Sequence, residues 1–399
     1  MSQPGPPENR PAQLQQALAG LVGPLGFADL DAFDANAGAL VARAGGKPIR
    51  LATKSLRCLP LIRRALAQPG FQGVMCFNPR EVAWLAEQGL TDLLLAYPTV
   101  DQKALQRLAE LLADGHDLKV MVDSEAHLPL VAAAAQSAGV VFPVCIELDV
   151  SQDLPGLRFG SFRSPVRDVT AALRLAEAIG RNPHLRLVGL MAYEGQIAGL
   201  GNAGTHPRAR FIRTLQTRFL PRIAERRAAV VHALERAGHA LTLVNAGGTG
   251  SLESSAAEAV VTEVAAGSGL YSPLLFDGYA GFRHQPAVGF ALSVTRRPAA
   301  DMVTCHGGGY VASGPVGASR APQPFYPAGL RLIPEEGLGE VQTPLRLPPD
   351  VRLGLGDLVL FRHAKAGELC EHFTELHTIA GTRRVGTVQT YRGAGQQFS

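Results

Sequence analysis

The sequence predicts an α/β protein built on a (β/α)8 TIM barrel, with an all-β domain appended at the C-terminus. Three observations carry this. Short apolar runs recur eight times between about residues 27 and 282, and stretches with apolar residues at helical spacing separate them. The runs lack an alternating polar face, which marks strands covered on both sides and hence a parallel sheet. After residue 285 helical periodicity disappears, and short β-like runs alternate with Gly- and Pro-rich turns such as PVGASRAPQPFYPAG. Eight strand–helix units in about 250 residues match the size and count of such a barrel. A doubly wound open sheet is the alternative that periodicity leaves open.

In order, the runs are IRLAT (49–53), GVMCF (73–77), DLLLA (92–96), LKVMV (118–122), VCIELD (144–149), LVGLMA (187–192), LTLVN (241–245) and VTEVAAGSGLYSPLLF (261–276). Between the second and third, PREVAWLAEQGL places Val82, Leu85 and Ala86 on one helical face and ends on Gly89. The expected division is a tail and lead-in over 1–26, the barrel over 27–284 and the β domain over 285–399.

Composition narrows the function classes. The 399 residues carry a net charge of +4, and the 38 basic residues are scattered rather than striped, which disfavours nucleic acid. No run approaches the roughly 20 apolar residues of a membrane span. Five cysteines, odd in number and widely spaced, fit reduced thiols better than a disulfide framework. The opening MSQPGPPENRPAQ lacks the basic-then-apolar order of a secretory signal, so a cytoplasmic protein is expected.

In such barrels chemistry collects at the C-terminal ends of the strands. Lys54 ends the first strand, and reads either as a solvated loop residue or as an amine held in a partly dry pocket. Asp123 and Ser124 end the fourth; Tyr193, Glu194 and Gly195 end the sixth. After the seventh and eighth strands come two Gly-rich loops, NAGGTGS (245–251) and AGSG (266–269). Gly247, Gly248 and Gly250 permit close backbone approach, while Thr249 and Ser251 add hydroxyls. Barrels of this kind bind phosphate in the loops after those two strands. An amine facing a phosphate cradle suggests a pyridoxal 5'-phosphate (PLP) enzyme, with Lys54 as nucleophile. Arg50 and Arg57 are the cations whose proximity would favour its neutral form.

Cys370 and His372 lie two apart, so on a strand they share a face and could reach one ion, with zinc suited to thiolate plus imidazole. Cys305-His306 makes a poor dyad, because adjacent strand residues point to opposite faces.

The segments KPIRLATKSLRCLPLIRRAL, CFNPREVAWLAEQGLTDLLLAYPTV, VMVDSEAHL, IELDV, GLMAYEG, NAGGTG and ELCEHFTELH, in that order, resemble fold-type III PLP enzymes. These are alanine racemase-like barrels with an appended β domain. Within that family the chain is most similar to the D-threonine aldolase and D-serine dehydratase branch. The resemblance implies that Lys54 carries PLP. It places Tyr193 and the loops Gly247, Gly248, Thr249, Gly250 and Gly267, Ser268, Gly269 near the ring and phosphate. It further implies a lyase acting on a D-amino acid with a β-hydroxyl, a divalent metal (zinc or manganese) bound through the β domain, and a head-to-tail homodimer. The chain departs from the branch at Ala52 and Gln196, where histidine is common, and at Leu154, where arginine is common and Arg158 lies close by. The metal pair, commonly His-x-Cys, has its nearest match in Cys370-Glu371-His372, in reversed order. A racemase, with Tyr310 or Tyr326 as second base, and a non-catalytic PLP carrier are the alternatives.

Overall fold

The protein is described from a computed structural model, over residues 9–398. It forms two compact units. One comprises residues 40–54 and 66–267 together with Phe398; the other comprises residues 9–39, 55–65 and 268–397.

The first unit is a closed parallel barrel of eight strands. The strands are Ile49–Ala52, Phe71–Cys76, Leu93–Leu95, Leu118–Val122, Phe142–Glu147, Leu185–Ala192, Leu243–Ala246 and Glu263–Ala266. All eight fall on the apolar runs of the sequence, and closure is completed by pairing of Val264 with Ile49. The barrel therefore excludes the open-sheet alternative. Leu94, Ala96, Met121, Cys145, Val188, Met191 and Leu243 form one of its buried clusters. Helices begin where short polar side chains accept backbone amides: Asn78 Oδ1 from Arg80, Asp101 Oδ1 from Ala104 (3.0 Å) and Asp168 Oδ1 from Ala171 (2.9 Å).

Two local features differ from the sequence reading. The eighth run was expected to continue to residue 276, but its strand stops at Ala266. Gly267 and Gly269 are poor strand formers and Pro273 cannot donate to a ladder, so the chain turns into short helical segments, Ser268–Tyr271 and Leu274–Gly278. After the fifth strand a small hairpin, Gln152–Leu154 with Leu157–Phe159, turns at Gly156 (φ +71°).

The second unit centres on a nine-stranded, mostly antiparallel sheet. Its membership corrects the expected boundaries at the N-terminus. Of the tail and lead-in expected over 1–26, residues 1–8 lie outside the described residues, and the remainder belongs to the sheet unit: Arg10–Ala17 is a helix, and Leu25–Asp29 is a strand inserted between two C-terminal strands. That strand pairs antiparallel with Val288–Ala299 and parallel with Glu375–Ala380. Leu14, Leu18, Leu25 and Phe27 bury themselves with Ala291, Leu358, Leu360 and Ile379, and this shared apolar contact fixes the N-terminal segment in the sheet unit.

Candidate active site

Lys54 follows the first barrel strand within a single 3-10 turn, Thr53–Ser55. The turn is anchored from below by Thr53, whose hydroxyl donates to Met75 O at 3.0 Å. The Lys54 side chain is exposed, and its Nζ donates to Tyr97 Oη at 2.7 Å. Tyr97 lies just beyond the third strand, so two neighbouring loops of the barrel contribute this pair.

A guanidinium completes the cluster. Arg163 lies over the Tyr97 ring at 5.8 Å from its centroid and over the Tyr193 ring at 5.1 Å. Such placement over aromatic faces is attractive because the ring quadrupole is negative there. Arg163 is thus the cation among the rings around Lys54. Arg50 and Arg57, expected in that role, are otherwise engaged. Arg50 is fully buried and donates to Glu263 (2.6 and 2.8 Å) and Asp92 (3.0 and 2.9 Å). Arg57 pairs with Glu371 at 2.7 Å in the sheet unit. Arg158, the arginine nearest Leu154, is held by Asp149 at 2.7 Å.

Acidic groups also gather at the strand ends. Glu147, the last residue of the fifth strand, is buried, and its carboxyl is pushed up to about 7. Burial is the main cause; Arg163 and Lys54 oppose it, while Asp123 and Asp149 add to it. Asp123 is raised above the usual carboxylate range, again chiefly by burial. Burial likewise pushes the Tyr193 hydroxyl up to about 12, against the pull of Arg163.

The loop after the seventh strand packs closely on Tyr193. Gly247 adopts φ +86°, a conformation that favours glycine. At Gly248 a Cβ would stand 3.2 Å from both Tyr193 Cε2 and Ala198 Cβ, so only glycine leaves that surface clear. An exposed amine, a flat aromatic side chain and a glycine-rich turn with a single hydroxyl, Thr249, among three glycines are features that suit a PLP ring and its phosphate, and the residues of the barrel unit fit the group. Gly250 lies in the same turn, and Gly267 directly follows the eighth strand. Ser268 and Gly269 fall in the sheet unit, where Gly269 O accepts from His284 Nδ1 at 3.0 Å.

The metal expectation does not fit its residues. Cys370 and His372 were placed on a strand, but Glu368–Glu371 is a 3-10 turn that His372 caps. Cys370 is fully buried with its Sγ 3.8 Å from Tyr271 Oη, and burial raises its thiol, which opposes the thiolate a metal needs. The His372 ring lies against Tyr310, centroids 4.7 Å apart. Among the described residues no group of three or more His, Cys, Asp or Glu is arranged to hold a metal.

Sequence reasoning missed Tyr97, Glu147 and Arg163. Tyr97 and Glu147 could have been found by the strand-end rule that selected Lys54 and Tyr193. Arg163 stands in a loop without periodicity, so no local signal marks it.

The alanine racemase N-terminal domain model matches residues 28–274. The chain is 31% identical over 305 residues to the D-threonine aldolase of an Arthrobacter species, covering 75% of this chain and 74% of that protein. The D-threonine aldolase structure from Filomicrobium marinum superposes with a TM-score of 0.77 at 24% identity, covering 93% of this chain and 95% of that one. The D-threo-3-hydroxyaspartate dehydratase of Delftia sp. HT23 gives 0.74 at 23% identity, over 94% and 98%. The chain therefore belongs to the PLP-dependent alanine racemase N-terminal domain family, in its D-threonine aldolase branch.

Proposed function

We propose that this chain is a PLP-dependent lyase acting on D-amino acids that carry a β-hydroxyl, by aldol cleavage or by dehydration. The observation that supports it most is the Lys54–Tyr97 pair beside Arg163 and Tyr193, in a barrel unit where Gly248 leaves the space against Tyr193 clear. When bound, PLP supplies an electron sink for the charge left at the substrate Cα.

The chain's own residues have distinct parts. Lys54 would hold the cofactor through its amine, and the free amine would be the base placed to move a proton at the substrate Cα. Tyr97 Oη fixes the direction of the Lys54 amine. Arg163, held by two aromatic faces, offers a fixed positive charge to a substrate carboxylate. Glu147 keeps a proton up to about neutral pH and can pass it to a leaving oxygen or take it from a β-hydroxyl. Gly247, Gly248, Thr249, Gly250, Gly267, Ser268 and Gly269 are the proposed phosphate loops, with Tyr193 against the ring. Cys370 and His372 do not form the donor set a divalent metal asks for, so neither is given a part in the chemistry. The protein is further proposed to act as a cytoplasmic homodimer on a small amino-acid substrate, without nucleic-acid or membrane partners. Among the described residues no helix is long and apolar enough to cross a membrane.

The test is borohydride reduction of the holo-protein followed by peptide mapping. The reduced cofactor is expected on Lys54, and Lys54→Ala is expected to lose both the long-wavelength absorbance and turnover. A label on another lysine, or full activity in Lys54→Ala, overturns the assignment.

A further inference from the structure

Glu194 lies two residues beyond the sixth strand with a side chain that is 1% exposed, and its side-chain hydrogen bonds run to the glycine-rich loop, to the short helix after it and to the charge that neutralises it. Its Oε1 accepts from the hydroxyls of Ser251 (2.6 Å) and Ser255. Its Oε2 accepts from Arg227 Nη2 at 2.8 Å and, more distantly, from the Gly247 amide at 3.4 Å. Ser251 Oγ in turn accepts from the Gly248 amide at 3.2 Å, and the Ser251 amide donates back to Gly248 O at 2.9 Å. An ionised carboxylate only accepts, so both serine hydrogens must point at Glu194. That leaves the Ser251 lone pairs to face Gly248, and the loop is fixed from beneath through three of its residues.

A buried anion under a phosphate loop needs a countercharge, and Arg227 provides it. This arginine is fully buried on the long helix Pro207–Arg236; it also donates to Ala192 O at 2.9 Å and pairs with Glu258. Unpaired, a carboxylate at this depth would be strongly disfavoured by its lost hydration, and its field would oppose a phosphate.

We infer that Glu194, through Ser251 and Ser255, is the positioning residue that sets the loop of Gly247 to Gly250 in the shape that receives a phosphate. The inference rests on the proposed PLP reading and deepens it. It also revises the part of two glycines. The Gly248 amide is engaged by Ser251 and the Gly247 amide is turned towards Glu194, so these residues serve by close approach, and phosphate recognition falls to the residues that follow them.

The test compares two probes on apo-protein: PLP, and pyridoxal, which lacks the phosphate. Glu194→Gln keeps the shape but loses the charge and half of the acceptors. It is expected to weaken PLP binding at least about tenfold while changing pyridoxal binding less than about twofold. Ser251→Ala, which removes both the bond to Glu194 and the link to Gly248 but leaves Ser255 and Arg227 on the carboxylate, is expected to shift the same ratio in the same direction by a smaller factor, and carries the test if Glu194→Gln fails to fold. A PLP-to-pyridoxal ratio unchanged in Ser251→Ala, or in a folded Glu194→Gln, overturns the inference. If parental apo-protein binds neither probe, the PLP reading itself fails, which is a distinguishable result.

Discussion

Glu147 is a carboxyl that folding pays to keep protonated. Its folded-state value of about 7 lies above the ordinary carboxylate range, so its contribution to stability is fully present at low pH and is lost as pH rises through about 7. Glu147→Gln removes that penalty. Apo-protein carrying it should match the parent in thermal unfolding at pH 4, below the ordinary value of the carboxyl, and exceed it by about 1–3 kcal/mol at pH 8. Equal stability at both pH values would show that the carboxyl is already ionised. Gly248→Ala probes a neighbouring surface by contact alone. Its methyl would press on Tyr193 and Ala198, and PLP affinity should fall about tenfold, equivalent to about 1.4 kcal/mol, as read by absorbance titration. Unchanged affinity would place the cofactor elsewhere. Lys54 and the glycine loop were legible in the sequence because a strand followed by a cation, or by GGTG, is a local pattern. The partners that orient them were not, because Arg163 comes from an irregular loop and reaches Tyr97 and Tyr193 only through the fold.

At the level of elements, the eight barrel strands were readable because both of their faces are covered, which leaves an unbroken apolar signature. Arg50 is the exception within them, and the structure explains it. Its charge spans Glu263 on the eighth strand and Asp92 just before the third, on either side of the barrel closure. Arg50→Met strips buried Glu263 of its cation and leaves Asp92 to Lys119 alone, and should cost about 3–5 kcal/mol in chemical denaturation. The strand Leu25–Asp29 escaped notice for a different reason. It is five residues long, contains a glycine, and takes partners more than 250 residues away, so nothing local announces it. Leu18, fully buried just before it, separates the two views of the N-terminus. Leu18→Ala should destabilise the protein by about 2–5 kcal/mol, whereas a loose tail would leave the midpoint unchanged. The 3-10 turn at Glu368–Glu371 shows the converse error. Two residues at i and i+2 share a face only if the segment is extended, and Cys370 and His372 are not.

For the whole molecule, the account joins a closed barrel, a covalent cofactor and a D-amino-acid substrate, with the proposed dimer supplying the cover that reactive carbanions require. Light scattering should give twice the chain mass at micromolar concentration, and a fully active monomer would remove the dimer from the account. One assay reads the chemistry and the stereochemistry together. Purified holo-protein is incubated separately with D-threonine, L-threonine and D-serine, while amino-acid enantiomers, aldehyde, ammonia and 2-oxo acid are quantified. The account predicts consumption of a D-substrate, yielding glycine and an aldehyde or ammonia and a 2-oxo acid, with the L-enantiomer untouched. Accumulation of L-amino acid from D-substrate, or no turnover by protein carrying PLP on Lys54, would contradict it.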